Sequence, residues 1–455
     1  MLKTALAVVT FVTLILLPRA VPALKNYVSL DPRDIPLVWD LPVPKPQEVE
    51  TAQVRARRLQ VRAPENLVDP HQTLDHFYQA LLQGGTVRVL HYGDSPTTGD
   101  LITSDARALF QKQFGDGGAG FVLIAKPWAW YYHRGVEMDS SKWSIDVAGD
   151  TPIKDGLHGL GGASFQGSPG AVASFTVKGG DRSAEVAYLE QPEGGAFSFE
   201  ADGTPLRTVQ TAADERHAAW ATFELPAGSK KFTVRVDSGR VRLYGVEFSK
   251  SRPGVLYSSL GINGANITVL SRAFNGAHWT AQLRHYRPDL VVLAYGTNES
   301  GFPKFVDGTW GGELKLAVKR LQNALPDASI LLMSPMDRGV RNDRGEIETI
   351  EALPRLVKIE ARVADETGVA FFNTFQAMGG EGTMARWYAA EPRLVGADYI
   401  HPMPAGAKIV GELLYGSLRD GYNEYKLRQL KSKEVSKEVS NDVQVLKGQK
   451  GSTTK

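Results

Sequence analysis

The chain contains no cysteine. This absence excludes disulfide cross-links, thiolate-ligated zinc and thiol catalysis together, and it is compatible with an oxidising compartment. A surplus of either charge is missing too: 52 Lys and Arg stand against 50 Asp and Glu, and the basic residues are scattered among acidic ones until the C-terminal tail. The formal net charge of +2 offers no broad basic face for a phosphate backbone, so nucleic acid is not an expected partner. No internal repeat is present. What remains is 42% apolar and 22% charged residues in 455, the balance of soluble globular protein with enough length for two substantial cores.

One apolar run stands out, over residues 5–17, after Met1-Leu2-Lys3 and before Pro18-Arg19. Small residues at Val21 and Ala23 suit cleavage after Ala23, so 1–23 reads as a secretory signal. The run is shorter than the roughly 20 residues of a membrane span. The alternative is an uncleaved N-terminal membrane anchor, and in both cases the rest of the chain is exported, to the periplasm, the cell surface or the medium. Residues 24–64, with Pro42, Pro44 and Pro46, lack a sustained period and read as a linker or arm.

Three textures follow. From 65 to 134, Leu74, Phe77, Leu81 and Leu82 carry helical spacing, 87–90 is a short apolar strand, and a second helix is expected over 101–114. From 135 to 250, short alternating runs separated by Gly, Pro, Asp and Ser predict an all-β sandwich. From 251 to 424 strands at 290–294, 330–333 and 370–372 alternate with helices at 279–285, 312–324, 349–366 and 405–415, the pattern of a parallel sheet covered on both faces. The β-rich segment thus interrupts an α/β domain. The Lys-rich stretch 425–455 reads as a frayed helix passing into a disordered tail.

Ligands of a parallel α/β sheet bind beyond the carboxyl ends of its strands. Gly93-Asp94-Ser95 follows the first core strand, and a serine there is a nucleophile only if a base is presented to it. Asp398-Tyr399-Ile400-His401 supplies an imidazole with a carboxylate three residues earlier, a spacing that lets the carboxylate hold the ring. Gly296-Thr297-Asn298-Glu299 ends the strand at 290–294, where a side-chain amide is placed to donate to an oxyanion. Gly261-Ile262-Asn263-Gly264 allows close backbone approach. Taken singly, each stretch also reads as an ordinary turn or helix cap.

In this order the four stretches resemble the four sequence blocks of the SGNH (GDSL-type) hydrolases, over about residues 87–418. The similarity is closest to the branch with bacterial peptidoglycan O-acetylesterases, which carry a carbohydrate-binding-module-like β-sandwich between the first two blocks. The resemblance implies a three-layer α/β/α flavodoxin-like core with an inserted, jelly-roll-like all-β sandwich. It also implies Ser95 as nucleophile, Asp398 and His401 completing a triad, and Gly264 and Asn298 with the Ser95 amide as oxyanion donors. No cofactor is expected. One departure is Pro96-Thr97-Thr98, where many relatives continue with Leu or His.

Other residues are weighed beside these. Trp128, Trp130, Tyr131, Tyr132 and His133 form an aromatic run fit either for core packing or for stacking on sugar rings. His91 is expected to be buried and hydrogen-bonded, and His278 and His285 lack the partners of a metal site. Asp337-Arg338 either lines the pocket or forms a structural pair. The expected activity is removal of a small acyl group, acetyl foremost, from a polysaccharide hydroxyl. A polysaccharide O-acetyltransferase and a non-catalytic glycan-binding protein remain open alternatives, as do the polymer and the oligomeric state.

Overall fold

A six-stranded sheet organises the chain. The computed structural model describes residues 66–149 and 155–450, with side chains to 432; the expected signal 1–23 and linker 24–64 lie outside the described residues. The sheet's strands are β1 (Leu67–Val68), β2 (Thr86–Gly93), β3 (Gly254–Gly261), β4 (Leu290–Ala294), β5 (Ser329–Met333) and β6 (Ala370–Phe372). They lie in the order β1-β6-β5-β4-β2-β3, all parallel except β1, which caps the β6 edge antiparallel.

Every residue of β3 and β5 is buried, as a sheet covered on both faces requires. Strand alternation sorts the side chains between the layers. Val292 and Leu290 of β4 join the cluster of α1 (Asp75–Gln83), α2 (Leu101–Phe114) and α6 (Pro404–Lys450). Val291 and Leu293 point the other way, into the cluster of α3 (Gly276–Tyr286), α4 (Gly311–Ala324) and α5 (Leu353–Thr367). From β2 the chain goes on to β3 on one side, whereas β4 on the other side leads away to β5, so a crevice opens between the carboxyl ends of β2 and β4. This is the flavodoxin-like α/β/α arrangement expected from the sequence.

Between α2 and β3 the chain builds two further antiparallel sheets. One has five strands, from Val136–Ser141 to Lys231–Ser238; the other includes Ser183–Glu190, His217–Glu224 and Val241–Ser249. Their inner faces meet through rings, with Phe199 stacked on Phe223 at 4.5 Å and Phe175 edge-on to Phe248 at 5.6 Å. Gly120–Leu123 pairs along Val241–Ser249, so a strand from the stretch read as core sequence belongs to this β layer. The β layer and the α3 side of the core share one apolar cluster, in which Phe121 meets Tyr286 at 5.8 Å.

Within the stretch read as a frayed helix passing into a tail, α6 runs as helical backbone to Lys450. Its early part is held by packing, since Tyr422 and Tyr425 both lie against Tyr78 of α1 and Arg428 pairs with Asp75. No helix among the described residues is long and apolar enough to cross a membrane.

Candidate active site

The crevice at the end of β2 is built on close backbone contacts. After Gly93 the chain passes through extended Asp94 into a single helical turn, Ser95–Thr98. A Cβ on Gly93 would lie 2.2 Å from Thr97 Oγ1, and one on Gly261 only 2.3 Å from the Thr98 nitrogen, so only glycine lets β2 and β3 grip this turn from both sides. Pro96 occupies a first-turn position, where its missing N–H has no helical acceptor to lose. Proline after the serine therefore fits the turn.

The structure brings Ser95, His401 and Asp398 together across 306 positions of sequence. Ser95 Oγ lies 2.9 Å from His401 Nε2, and His401 Nδ1 lies 2.6 Å from Asp398 Oδ2. The other oxygen, Asp398 Oδ1, accepts the backbone N–H groups of Ile400 (3.0 Å) and His401 (3.1 Å). Partial burial raises the affinity of this carboxyl for a proton, but the His401 bond and the two amides outweigh it and hold the group below the usual carboxylate range. An imidazole so oriented can take a proton from the hydroxyl and return it to a departing oxygen.

The Gly261–Gly264 loop and the Gly296–Glu299 turn are tied to each other. Asn298 Nδ2 donates to Ala265 O at 2.7 Å, which spends one amide hydrogen and leaves the second. Glu299, 2% exposed, accepts from Ile267 N at 2.8 Å and from Gly296 N at 3.1 Å, bracketing both loops with one carboxylate. Gly264 has φ +70° and open space where a Cβ would stand. Arg338 donates to Thr297 O at 2.6 Å and so braces the same turn from behind.

Residues 227–409 match the sequence model of the GDSL-like Lipase/Acylhydrolase family. Over these residues the chain is similar to the GDSL-like acylhydrolases. The match contains Gly264, Asn298, Asp398 and His401, whereas Ser95 lies before the β layer that splits the core. A solved peptidoglycan O-acetylesterase superposes with TM-score 0.67 at 24% identity, over 79% of this chain and 99% of its own. Weaker matches include YXIM from Bacillus subtilis (12% identity, 62% and 88% of the two chains, TM-score 0.30). Another is a family two carbohydrate esterase from Clostridium thermocellum (14%, 60% and 97%, TM-score 0.25). No curated protein sequence matches the chain. The fold and the family match together identify an esterase.

The pocket of this GDSL-like esterase has a volume of about 540 Å³, and Ser95, Asn263, Asp398 and His401 share it with Leu101, Trp130 and Tyr132. Sequence reasoning left the role of the aromatic run open; the structure sets Trp130 and Tyr132 at the pocket and buries Tyr131 and His133.

A buried acidic group behind the site was not foreseen. Burial, and then the neighbouring Glu299, push the Asp94 carboxyl up to about 8; burial pushes Glu299 up to about 7 and Glu360 well above its ordinary value. The signal was present in α5, where Glu360 falls on the apolar stripe of Leu356, Val357 and Val363.

The remaining sequence candidates are structural. His91 is buried with Nδ1 2.8 Å from the Tyr257 hydroxyl, and burial pushes it down to about 3. His278 is buried beside Tyr244, while His285 stacks on Trp220 at 3.9 Å and lies 2.8 Å from Glu185. Asp337 accepts from Thr349 Oγ1 and Met384 N, fastening loops instead of lining the pocket. Among the described residues no group of three or more His, Asp or Glu is arranged to hold a metal ion.

Proposed function

We propose that this esterase removes a small acyl group, foremost O-acetyl, from hydroxyls of a cell-wall or extracellular polysaccharide such as peptidoglycan. The observation that carries the reading is the unbroken line from Asp398 through His401 to Ser95, ending in an open pocket. Ser95 Oγ attacks the acyl carbon while His401 Nε2 accepts the hydroxyl proton. The tetrahedral oxyanion receives the free hydrogen of the Asn298 amide and the backbone N–H groups of Ser95 and Gly264. Collapse breaks the ester C–O bond, and His401 returns the proton to the sugar alkoxide. Water, deprotonated by the same imidazole, then attacks the acyl-enzyme; collapse breaks the bond to Ser95 Oγ, which takes the proton back from His401, and the carboxylic acid leaves. No cofactor enters this scheme.

The polysaccharide is supported by the likeness in fold to a peptidoglycan O-acetylesterase, and an exported location by the apolar run at 5–17. The β layer, inserted between nucleophile and base in sequence, is suited to orient polymer over the pocket. A chromogenic acetate ester and a serine-directed organophosphorus probe test the chemistry. Label on Ser95, lost together with turnover in Ser95→Ala, is expected; label on another residue in active protein refutes the assignment. Acetate released from O-acetylated peptidoglycan, without transfer to an added saccharide, separates hydrolysis from transfer.

A further inference from the structure

We propose that Trp130 and Tyr132 form a stacking subsite for the pyranose ring that carries the acyl group. The inference rests on the carbohydrate-ester reading of the same pocket. Along 130–133 the side chains alternate, with exposures of 56%, 5%, 50% and 2%. The inner pair anchors the segment: the Tyr131 hydroxyl accepts from Leu123 N at 3.0 Å, and His133 is enclosed. The outer pair is thereby forced into the pocket that holds Ser95 and His401.

The segment is also tied to the helix that follows the nucleophile. Asp100, at a left-handed φ of +51°, takes up Arg107 at 3.0 and 2.5 Å and Thr103 Oγ1 at 2.6 Å. The same carboxylate accepts Arg134 N at 2.8 Å, and Arg107 donates to Arg134 O at 3.3 Å. Both backbone groups of the residue two beyond Tyr132 are therefore held by a buried ion pair on α2. The rings keep a fixed station relative to Ser95.

Half-bare aromatic faces suit an amphipathic partner. A pyranose presents an apolar C–H face to a ring and keeps its hydroxyls in water, whereas an extended acyl chain gains most from an enclosed apolar channel.

The test compares Trp130→Ala and Tyr132→Ala with the parent protein on two substrates, p-nitrophenyl acetate and an O-acetylated chitooligosaccharide. The ratio of kcat/KM for the saccharide to that for the small ester is expected to fall about tenfold in each variant, through KM, and to recover in Tyr132→Phe. An unchanged ratio in both variants overturns the subsite. A loss confined to longer p-nitrophenyl esters, butyrate and octanoate, assigns the rings to the acyl chain and overturns it as well. Parent protein that cleaves the small ester but no acetylated saccharide overturns the carbohydrate reading itself.

Discussion

Replacing Asn298 with alanine isolates the oxyanion contribution. The side chain has two amide hydrogens, and the bond to Ala265 O at 2.7 Å fixes the plane of the amide and engages one of them. In the proposed mechanism the second donates to the developing negative charge, and loss of one such donor costs about 3 kcal/mol of barrier, or roughly 100-fold in kcat. The KM should change little, because the ground-state carbonyl carries less charge than the tetrahedral adduct. Loss of the Ala265 bond removes about 1 kcal/mol of stability. Glu299 still bridges Ile267 and Gly296, so the loops stay joined and the variant should fold. Steady-state kinetics on p-nitrophenyl acetate, with a urea midpoint for each protein, reads both quantities. A folded variant that retains kcat within about threefold, or that loses efficiency only through KM, refutes the placement of Asn298 at the oxyanion.

Asp398→Asn keeps the size of the side chain but cannot hold His401 in the tautomer that accepts the Ser95 proton, so kcat/KM should fall about 100- to 1,000-fold, less than in a fully buried triad because both groups are half exposed; a loss under about threefold contradicts the relay. The parent carboxylate, held below its ordinary range, should stay ionised where a free carboxyl already takes up protons, and its stabilising contribution should disappear as pH falls through its lowered folded value, which acid titration of the Asp398 carboxyl NMR signal can follow. Asp94 works in the opposite sense: its folded value is raised to about 8, so its contribution is full below about pH 4 and declines as pH rises towards 8. Asp94→Asn should flatten the fall in urea stability between pH 5 and 8, and an unaltered slope speaks against a buried neutral carboxyl. Gly261→Ala would set a Cβ against the Thr98 backbone, with an expected cost of about 1–3 kcal/mol and a displaced Ser95, seen as a lowered midpoint and slower labelling by the organophosphorus probe; normal stability and labelling would show that the turn has room to move.

Four of the six core strands, β2, β4, β5 and β6, are legible in the sequence as apolar runs bounded by turn residues, whereas β1 and β3 are not; the Ser95 and Asp398 to His401 stretches are legible because their chemistry needs specific atoms at set spacings. Other features depend on partners that local pattern does not name. Gly120–Leu123 falls in the stretch assigned to the first part of the core, yet its hydrogen bonds go to Val241–Ser249. The aromatic run fits a core as well as a pocket until Tyr131 and His133 are seen to take the inner positions, which leaves Trp130 and Tyr132 outside. Glu299 looks like a turn residue, and only the folded loops reveal that its two oxygens hold two backbones. A helix around 425 is legible, but its contact through Tyr425 with Tyr78, far away in sequence, is not.

The hydroxyl is supplied early in the chain and the imidazole late, with the whole β layer between them. In the proposed mechanism a product arrested short of position 401 carries the nucleophile without its base.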